Sequence, residues 1–280
     1  CYLDHDNLDV NARGLKYAEM LRDEILAQGA ETVLGFIMEP VGGASTGALV
    51  APDSYYARIR EICNEFGILL IYDEVMTGAG RTGRFVASEH WGVIPDIVAL
   101  SKGFAAGYAP LGAMVAKTKI VEAVLTSGGF LHGFTYAGNP LACAAGAAVL
   151  EVLLKDNLIE NAAVMGGALN ARLTTLMDRY PFIGDVRGKG LLQGFELVSN
   201  CDTMEPLPKS LNAFNRLVDL AYDRGLIIYS RRTRGGYEGD HFLVCPPLIV
   251  TEPQIDEIMD ILTDSLDVMA KEMNLPVNVA

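Results

Sequence analysis

The sequence predicts an α/β protein, a mainly parallel sheet in a large domain followed by a smaller α+β unit. Three observations carry this. Short apolar runs alternate with amphipathic helical patterns. Those runs are continuously apolar, as expected of strands buried on both faces. Beyond Pro181 the texture changes to closely spaced strand signals between two helices.

From Asn11 to Gln28, Leu15, Ala18, Leu21 and Ile25 recur at helical spacing, and "TVLGFIMEP" then gives an apolar run closed by Pro40. "APDSYYARIREICNEFG" repeats the cycle, with Pro52 and Asp53 as start, Ile59, Ile62 and Phe66 as the apolar face and Gly67 as stop. "ILLIYD", "DIVAL" (96–100) and "LGAMVA" (111–116) are the next strands. A helical pattern with little punctuation runs from Asn139 to about Arg179, weakest at Gly166 and Gly167, and could bridge two domains. After "IGDVRGKGLLQGFELV" come a helix near 209–224, the strands "LIIY" and "FLV", and a closing helix from Thr251. The division predicted is a large domain over residues 1–163 and a small one over 164–280.

Composition narrows the function. Lys and Arg number 22 against 35 Asp and Glu, and the net charge of −13 disfavours nucleic acid and acidic membrane surfaces as partners. No apolar run approaches the roughly 20 residues of a membrane helix. Cys1, Cys63, Cys143, Cys201 and Cys245 show neither metal-ligand nor disulfide spacing, as in reduced cytoplasmic proteins, so no metal is expected. The opening "CYLDHDNLDV" has no initiator Met and no signal pattern, and reads as a fragment whose front is missing.

"GAGRTG" (78–83) matches the dinucleotide fingerprint G-x-G-x-x-G downstream of a strand. The spacing argues against it. Residues 73–77 intervene before the first glycine, and Asp73 and Glu74 among them would repel a pyrophosphate. Asp96, at a tempting distance for a ribose acid, begins its strand where that acid should end one. The glycines fit a flexible turn allowing close backbone approach.

In a parallel sheet "ILLIYD" ends at Asp73 and "DIVALSK" at Lys102, so both emerge at the carboxyl edge, where α/β sheets bind ligands. Strands about 4.8 Å apart would set the two groups at a separation a planar ring can fill. Small and apolar neighbours would bury Lys102 and free its amine to attack a carbonyl. A carboxylate for a ring nitrogen and a lysine for a Schiff base together suit pyridoxal phosphate. Equally, an Asp at a strand end can be a cap or solvated turn residue, and a Lys there a surface residue.

"FIMEPVGGASTGALVAP", "GILLIYDEVMTGAGRTGRF", "PDIVALSKGFAAGYAPLGAMV", "HGFTYAGNPLACAAGAAVLE", "VRGKGLLQGFELV" and "CPPLIVTEPQIDEI" occur in the order found in class III pyridoxal-phosphate-dependent aminotransferases, which the chain resembles over nearly its whole length. The resemblance implies fold type I, a cofactor-binding large domain, and a homodimer sharing its active sites. It implies Asp73 on the pyridinium nitrogen, Val75 against the ring face and Lys102 bonded to the cofactor aldehyde. Thr135 would reach the cofactor phosphate of the other subunit, with Phe134 beside it, and Glu39 would lie near the cofactor. Structural roles compete: core for Val75, helix cap for Thr135, strand closure for Glu39.

Departures from the family pattern narrow the branch. Met76 stands where the ornithine and γ-aminobutyrate branches have Gln, EPVGGA replaces EP-x-QGE, and Leu243 stands for their Arg before the PPL motif. The carboxylate switch of those branches is therefore lacking. The chain is more similar to the ω-amino-acid or amine:pyruvate branch, which moves an amino group from an amine to a keto acid and in which a mobile arginine can grip a carboxylate. Arg231, Arg232 and Arg234 in "SRRTRGGYEGD" are the candidates, against a solvated basic loop. Asn139 replaces the family's usual His before Pro. Another reaction on the same scaffold (aminomutase, racemase or lyase), an inactive fragment and a dehydrogenase are the alternatives.

Overall fold

The computed structural model describes residues 8–278; Cys1 and the rest of the opening seven residues lie outside it. Helix α1 (Val10–Gln28) begins at Asp9, whose carboxylate accepts the Ala12 N–H at 2.9 Å and satisfies one orphan donor of the first turn. It lies on α2 (Asp53–Phe66), burying Ala18 and Ile25 among Tyr56, Ile59 and Ile62. Helix α2 stops at Gly67, which takes the left-handed φ of 68° that glycine adopts without a Cβ clash. Under this pair runs a sheet ordered β1 (Gly35–Met38), β2 (Leu69–Asp73), β3 (Ile97–Leu100), β4 (Ala113–Ala116). The first three strands are parallel and β4 returns antiparallel, so the expected mainly parallel sheet is present. Leu70 and Tyr72 sit in the core shared with the two helices. Trp91, the only tryptophan, stacks on Tyr56 at 3.6 Å between ring centres, and its indole N–H donates to Asp53 at 2.9 Å.

Next come α3 (Thr118–Thr126), which the apolar pattern did not reveal, α4 (Pro140–Lys155) and α5 (Leu158–Arg179). The helix expected to run unbroken from Asn139 is thus two, parted at Asp156–Asn157. Asn157 takes a left-handed backbone (φ 53°, ψ 38°), which Asn tolerates better than most residues. Gly166 is not a weak point. A Cβ there would lie 2.2 Å from the carbonyl carbon of Gly190, so the missing side chain lets α5 touch another backbone.

The second sheet is antiparallel, ordered β5 (Ile183–Lys189), β6 (Leu192–Asn200), β9 (Glu238–Val244), β8 (Tyr229–Arg234), with β7 (Glu205–Pro206) on β6. Helices α5, α6 (Ala213–Asp223) and α7 (Glu252–Met273) cover it, burying Leu173, Leu217 and Leu262 on the stacked pair Phe195 and Phe242. The division expected after residue 163 falls inside α5, whose buried residues from Ala162 onward join this core. The strand expected at "LIIY" starts only at Tyr229 and continues through the three arginines. Among the described residues no helix is long and apolar enough to cross a membrane.

Candidate active site

The parallel register of β2 and β3 sets Asp73 opposite Ala99, and Lys102 follows three residues later. Both groups therefore leave the sheet at its carboxyl edge, on neighbouring strands. Asp73 is half-buried, and its Oδ1 accepts the Val75 N–H at 3.0 Å, which fixes the carboxylate and places Val75 beside it. Its Oδ2 has no hydrogen-bond partner among the described residues. Lys102 opens a single 3₁₀ turn with φ +44°, a left-handed backbone that costs a non-glycine residue about 1–3 kcal/mol and is typical of functional sites. Ser101 steadies the turn by donating to the Leu111 carbonyl at 3.1 Å. The expected burial of Lys102 is not found within this chain: β3 ends at Leu100, and the turn carries the lysine past the sheet to an exposed position.

The stretch after Asp73 is built on Glu74. Its fully buried carboxylate accepts from the Thr77 hydroxyl and from the N–H groups of Ala87 (2.8 Å) and Ser88 (2.9 Å). Burial pushes its pKa up, and these hydrogen bonds oppose that rise. The glycine loop is buried rather than flexible. A Cβ on Gly83, at φ +83°, would lie 2.8 Å from the Ala163 Cβ, and one on Gly190 would lie 2.3 Å from the Thr82 carbonyl carbon. Short side chains thus clamp 78–83 between α5 and the β5–β6 turn, the close approach expected of them without the flexibility. Asp96 is also structural, paired with Arg60 (2.7 Å) and Lys117 (2.8 Å). Burial would raise its pKa, but hydrogen bonds from Lys117, the Leu70 N–H and Arg60 outweigh it and hold the carboxylate well below its usual range.

Glu39 closes β1 and accepts the Gly43 N–H at 3.0 Å. A Cβ on Gly43 would meet both Glu39 Oε1 (2.5 Å) and Met76 Sδ (2.7 Å), so this turn brings Glu39 up to Met76. Phe134 and Thr135 lie in an exposed stretch, 127–139, with Phe134 78 % exposed and edge-on to His132. Thr135 does not cap α4. Asn139 does, accepting from the N–H groups of Leu141 (3.0 Å) and Ala142 (3.2 Å), with Pro140 in the first turn.

The three arginines are not on a loop but on strand β8. Arg232 is held by Asp240 at 2.9 Å and lies over Phe214, Arg234 donates to the Met204 carbonyl, and Arg231 lies over Tyr229. None of them lines either cavity beside Lys102. The smaller of these, about 220 Å³, is bounded by Met76, Arg81, Lys102, Leu192 and Cys245. The larger, about 890 Å³, includes Arg81, Lys102, Tyr108 and Leu248. Leu243 packs with Leu192, Val41 and Ala48, so an apolar cluster backs the smaller cavity. Arg81, which the sequence reading passed over, joins the two units: its Nη1 donates to the carbonyls of Pro246 (2.6 Å) and Leu191 (3.3 Å).

The class-III aminotransferase family pattern matches residues 2–266. The chain belongs to this family. It is 40 % identical over 252 residues to the taurine–pyruvate aminotransferase of Bilophila wadsworthia, covering 88 % of this chain and 54 % of that protein. The putrescine–pyruvate aminotransferase of Pseudomonas aeruginosa is 37 % identical over 256 residues, covering 91 % of this chain and 54 % of its own. An amine transaminase from an uncultivated Pseudomonas species, solved with pyridoxal phosphate bound, superposes with a TM-score of 0.86 at 38 % identity, covering 93 % of this chain and 58 % of that one. The chain thus spans little more than half the length of these relatives and has their fold type I architecture.

Proposed function

We propose that the full-length protein is a cytoplasmic, homodimeric aminotransferase that uses pyridoxal phosphate to move an amino group from an amine or ω-amino acid to a keto acid such as pyruvate. The observation that carries this reading is the delivery of Asp73 and a conformationally strained Lys102 to one sheet edge by adjacent parallel strands. The residues suit the cofactor: Asp73 keeps Oδ2 open, as a protonated ring nitrogen requires, and Lys102 borders two cavities. When bound, pyridoxal phosphate supplies an aldehyde that takes up the amino group and a ring that withdraws electrons from the substrate carbon.

In this reading Asp73 would keep the ring nitrogen protonated by accepting a hydrogen bond from its N–H on Oδ2, a charge-assisted bond that favours the cation. Val75, fixed by Asp73, gives an apolar platform beneath the ring. Lys102 Nζ would be the group that bonds the cofactor aldehyde and, when free, the base that takes a proton from the substrate carbon and the acid that gives it back. Glu39 and Met76 border the place where the substrate lies. Phe134 and Thr135, which project from this chain, serve the phosphate of the partner subunit's cofactor. Among the β8 arginines, Arg231 and Arg234 have no carboxylate partner among the described residues and are the candidates there for a mobile carboxylate grip, with Arg232 beside them. Two relatives whose names pair different donors with pyruvate support a pyruvate-type acceptor.

The test is borohydride trapping combined with pyruvate-dependent alanine formation. Wild-type protein should retain the cofactor covalently after reduction. Lys102→Ala should retain none and lose turnover by about 10²–10⁴-fold or more. Undiminished transamination by that variant would overturn the assignment.

A further inference from the structure

The turn over residues 42–48 presents three backbone acceptors to the second sheet, and that sheet supplies their donors. Arg187 on β5 donates from Nε to the Gly47 carbonyl (2.7 Å) and from Nη2 to the Thr46 carbonyl (3.1 Å), and His241 on β9 donates from Nε2 to the Ala44 carbonyl (2.9 Å). The guanidinium is itself fixed by Asp185 (2.8 Å) and by the fully buried Glu196 (2.9 Å), which stands opposite His241 across β6 and β9. The fit is close. Gly47 has φ +66°, and a Cβ there would lie 2.6 Å from His241 Cδ2, so bare backbone rests on the imidazole. A Cβ on Gly194 of β6 would lie 3.1 Å from the Gly47 oxygen. The other side of the turn is apolar. Val41 and Ala48 cluster with Leu192 and Leu243, and Gly43 lies against Glu39 and Met76. Met76 and Leu192 line the smaller cavity beside Lys102.

We propose that Arg187, Glu196 and His241 are positioning residues, a clamp by which the second unit seats the 42–48 turn and so sets how large a substrate the cavity beside Lys102 admits. The proposal rests on the transaminase reading for the reaction but not for the clamp. None of the three residues lines either Lys102 cavity, so they act through the turn. Desolvation offsets much of the attraction within a buried ion cluster, and what this cluster contributes is a single geometry rather than stability. With the turn seated, Val41, Ala48 and Leu192 stay packed and keep the cavity near 220 Å³, which suits a short acid better than an aromatic one. Once the turn loosens, Met76, unbranched and adaptable, gives way and bulkier acceptors gain.

The experiment compares Arg187→Lys and His241→Leu with wild type in the full-length holoenzyme. Lys keeps the charge beside Asp185 and Glu196 but cannot fork to two carbonyls, and Leu removes the donor to Ala44 without stranding a charge. The amides of Gly42, Gly47 and Ala48 close the turn on the Leu49 and Gly43 carbonyls. Their hydrogen exchange should quicken about ten- to a hundredfold in both variants, with the amides of α2 and β2 unchanged. His241→Gln, whose amide reaches the same carbonyl, should keep wild-type exchange. The ratio of kcat/KM for pyruvate over phenylpyruvate should fall about tenfold in the two disrupting variants. Calorimetric titration with propanoate and 3-phenylpropanoate should show the same loss of size preference without turnover. Exchange that quickens equally in α2 and β2 would make the cluster a general structural support. A quickened turn with an unmoved size preference would make the cavity wall independent of it, and His241→Gln behaving as His241→Leu would deny the hydrogen bond its part. Each of these overturns the proposal. If size preference in binding falls as expected but wild type transaminates neither acid, the clamp stands and the transaminase reading fails.

Discussion

Residues 74–88 and residues 127–139 both carry motifs of the family, yet the chain treats them in opposite ways. In the first, the Glu74 carboxylate gathers three donors and the glycines lie against α5 and the β5–β6 turn, so every strong contact is made within the chain. In the second, Phe134, Thr135 and Tyr136 project outward, and the nearest side-chain anchor is Asn139 at the start of α4. The difference separates two reasons for a motif to exist. The first shapes the molecule that contains it; the second makes no comparable set of side-chain contacts among the described residues.

This contrast can be broken by substitution. Gly83→Val puts a β-branched residue at φ +83° and into the Ala163 backbone, and should destabilise by more than about 3 kcal/mol in denaturant titrations. Glu74→Ala leaves buried donors unpaired and should cost about 3 kcal/mol by the same measurement. Asn139→Ala removes a helix cap and should cost about 1 kcal/mol. Thr135→Ala should change stability by less than about 0.5 kcal/mol yet weaken cofactor retention in the dimer. A large loss of stability in Thr135→Ala, or none in Glu74→Ala, would erase the distinction.

Acid sharpens the comparison, because the buried stretches carry the perturbed groups. Burial holds the His241 pKa below its ordinary value, the Arg187 charge adds to this, and the Nε2 hydrogen bond to the Ala44 carbonyl (2.9 Å) opposes it. A depressed histidine stabilises the fold above its unfolded pKa near 6.5, and that stability is lost as pH falls through the folded value. Asp96, also depressed, contributes stability above about pH 4 that is lost as pH falls further. Glu74 is raised, so its contribution has the opposite sign: greatest below its unfolded pKa and lost as pH rises through the folded one. Melting temperature should therefore decline from about pH 6.5 downward, and His241→Gln should remove the first part of that decline.

Much of this was legible in the sequence for a physical reason. Continuous apolar character marked β2 and β3, although within this chain β2 is fully buried only at alternate positions and β3 only at Leu100, and parallel connectivity then dictated that Asp73 and Lys102 share an edge. What escaped depended on contacts between distant residues. Periodicity cannot show that Asn157 turns left-handed, since the residues on both sides remain helical. The arginines of β8 read as loop because charge and glycine mask a strand whose partner is β9, and because Arg232 is neutralised by Asp240 only once the hairpin forms. The exposed backbone strain at Lys102 has no compositional signature at all.

The lone indole at Trp91, flat against Tyr56, has a practical consequence. Its emission reports the first structural unit and the border where Trp91 packs near Leu192 and Leu243 of the second, whereas ellipticity averages over both. A lag between the two signals during denaturation would show that the halves melt separately, and coincidence would show that the seam around Arg81 and Gly190 makes them a single cooperative body.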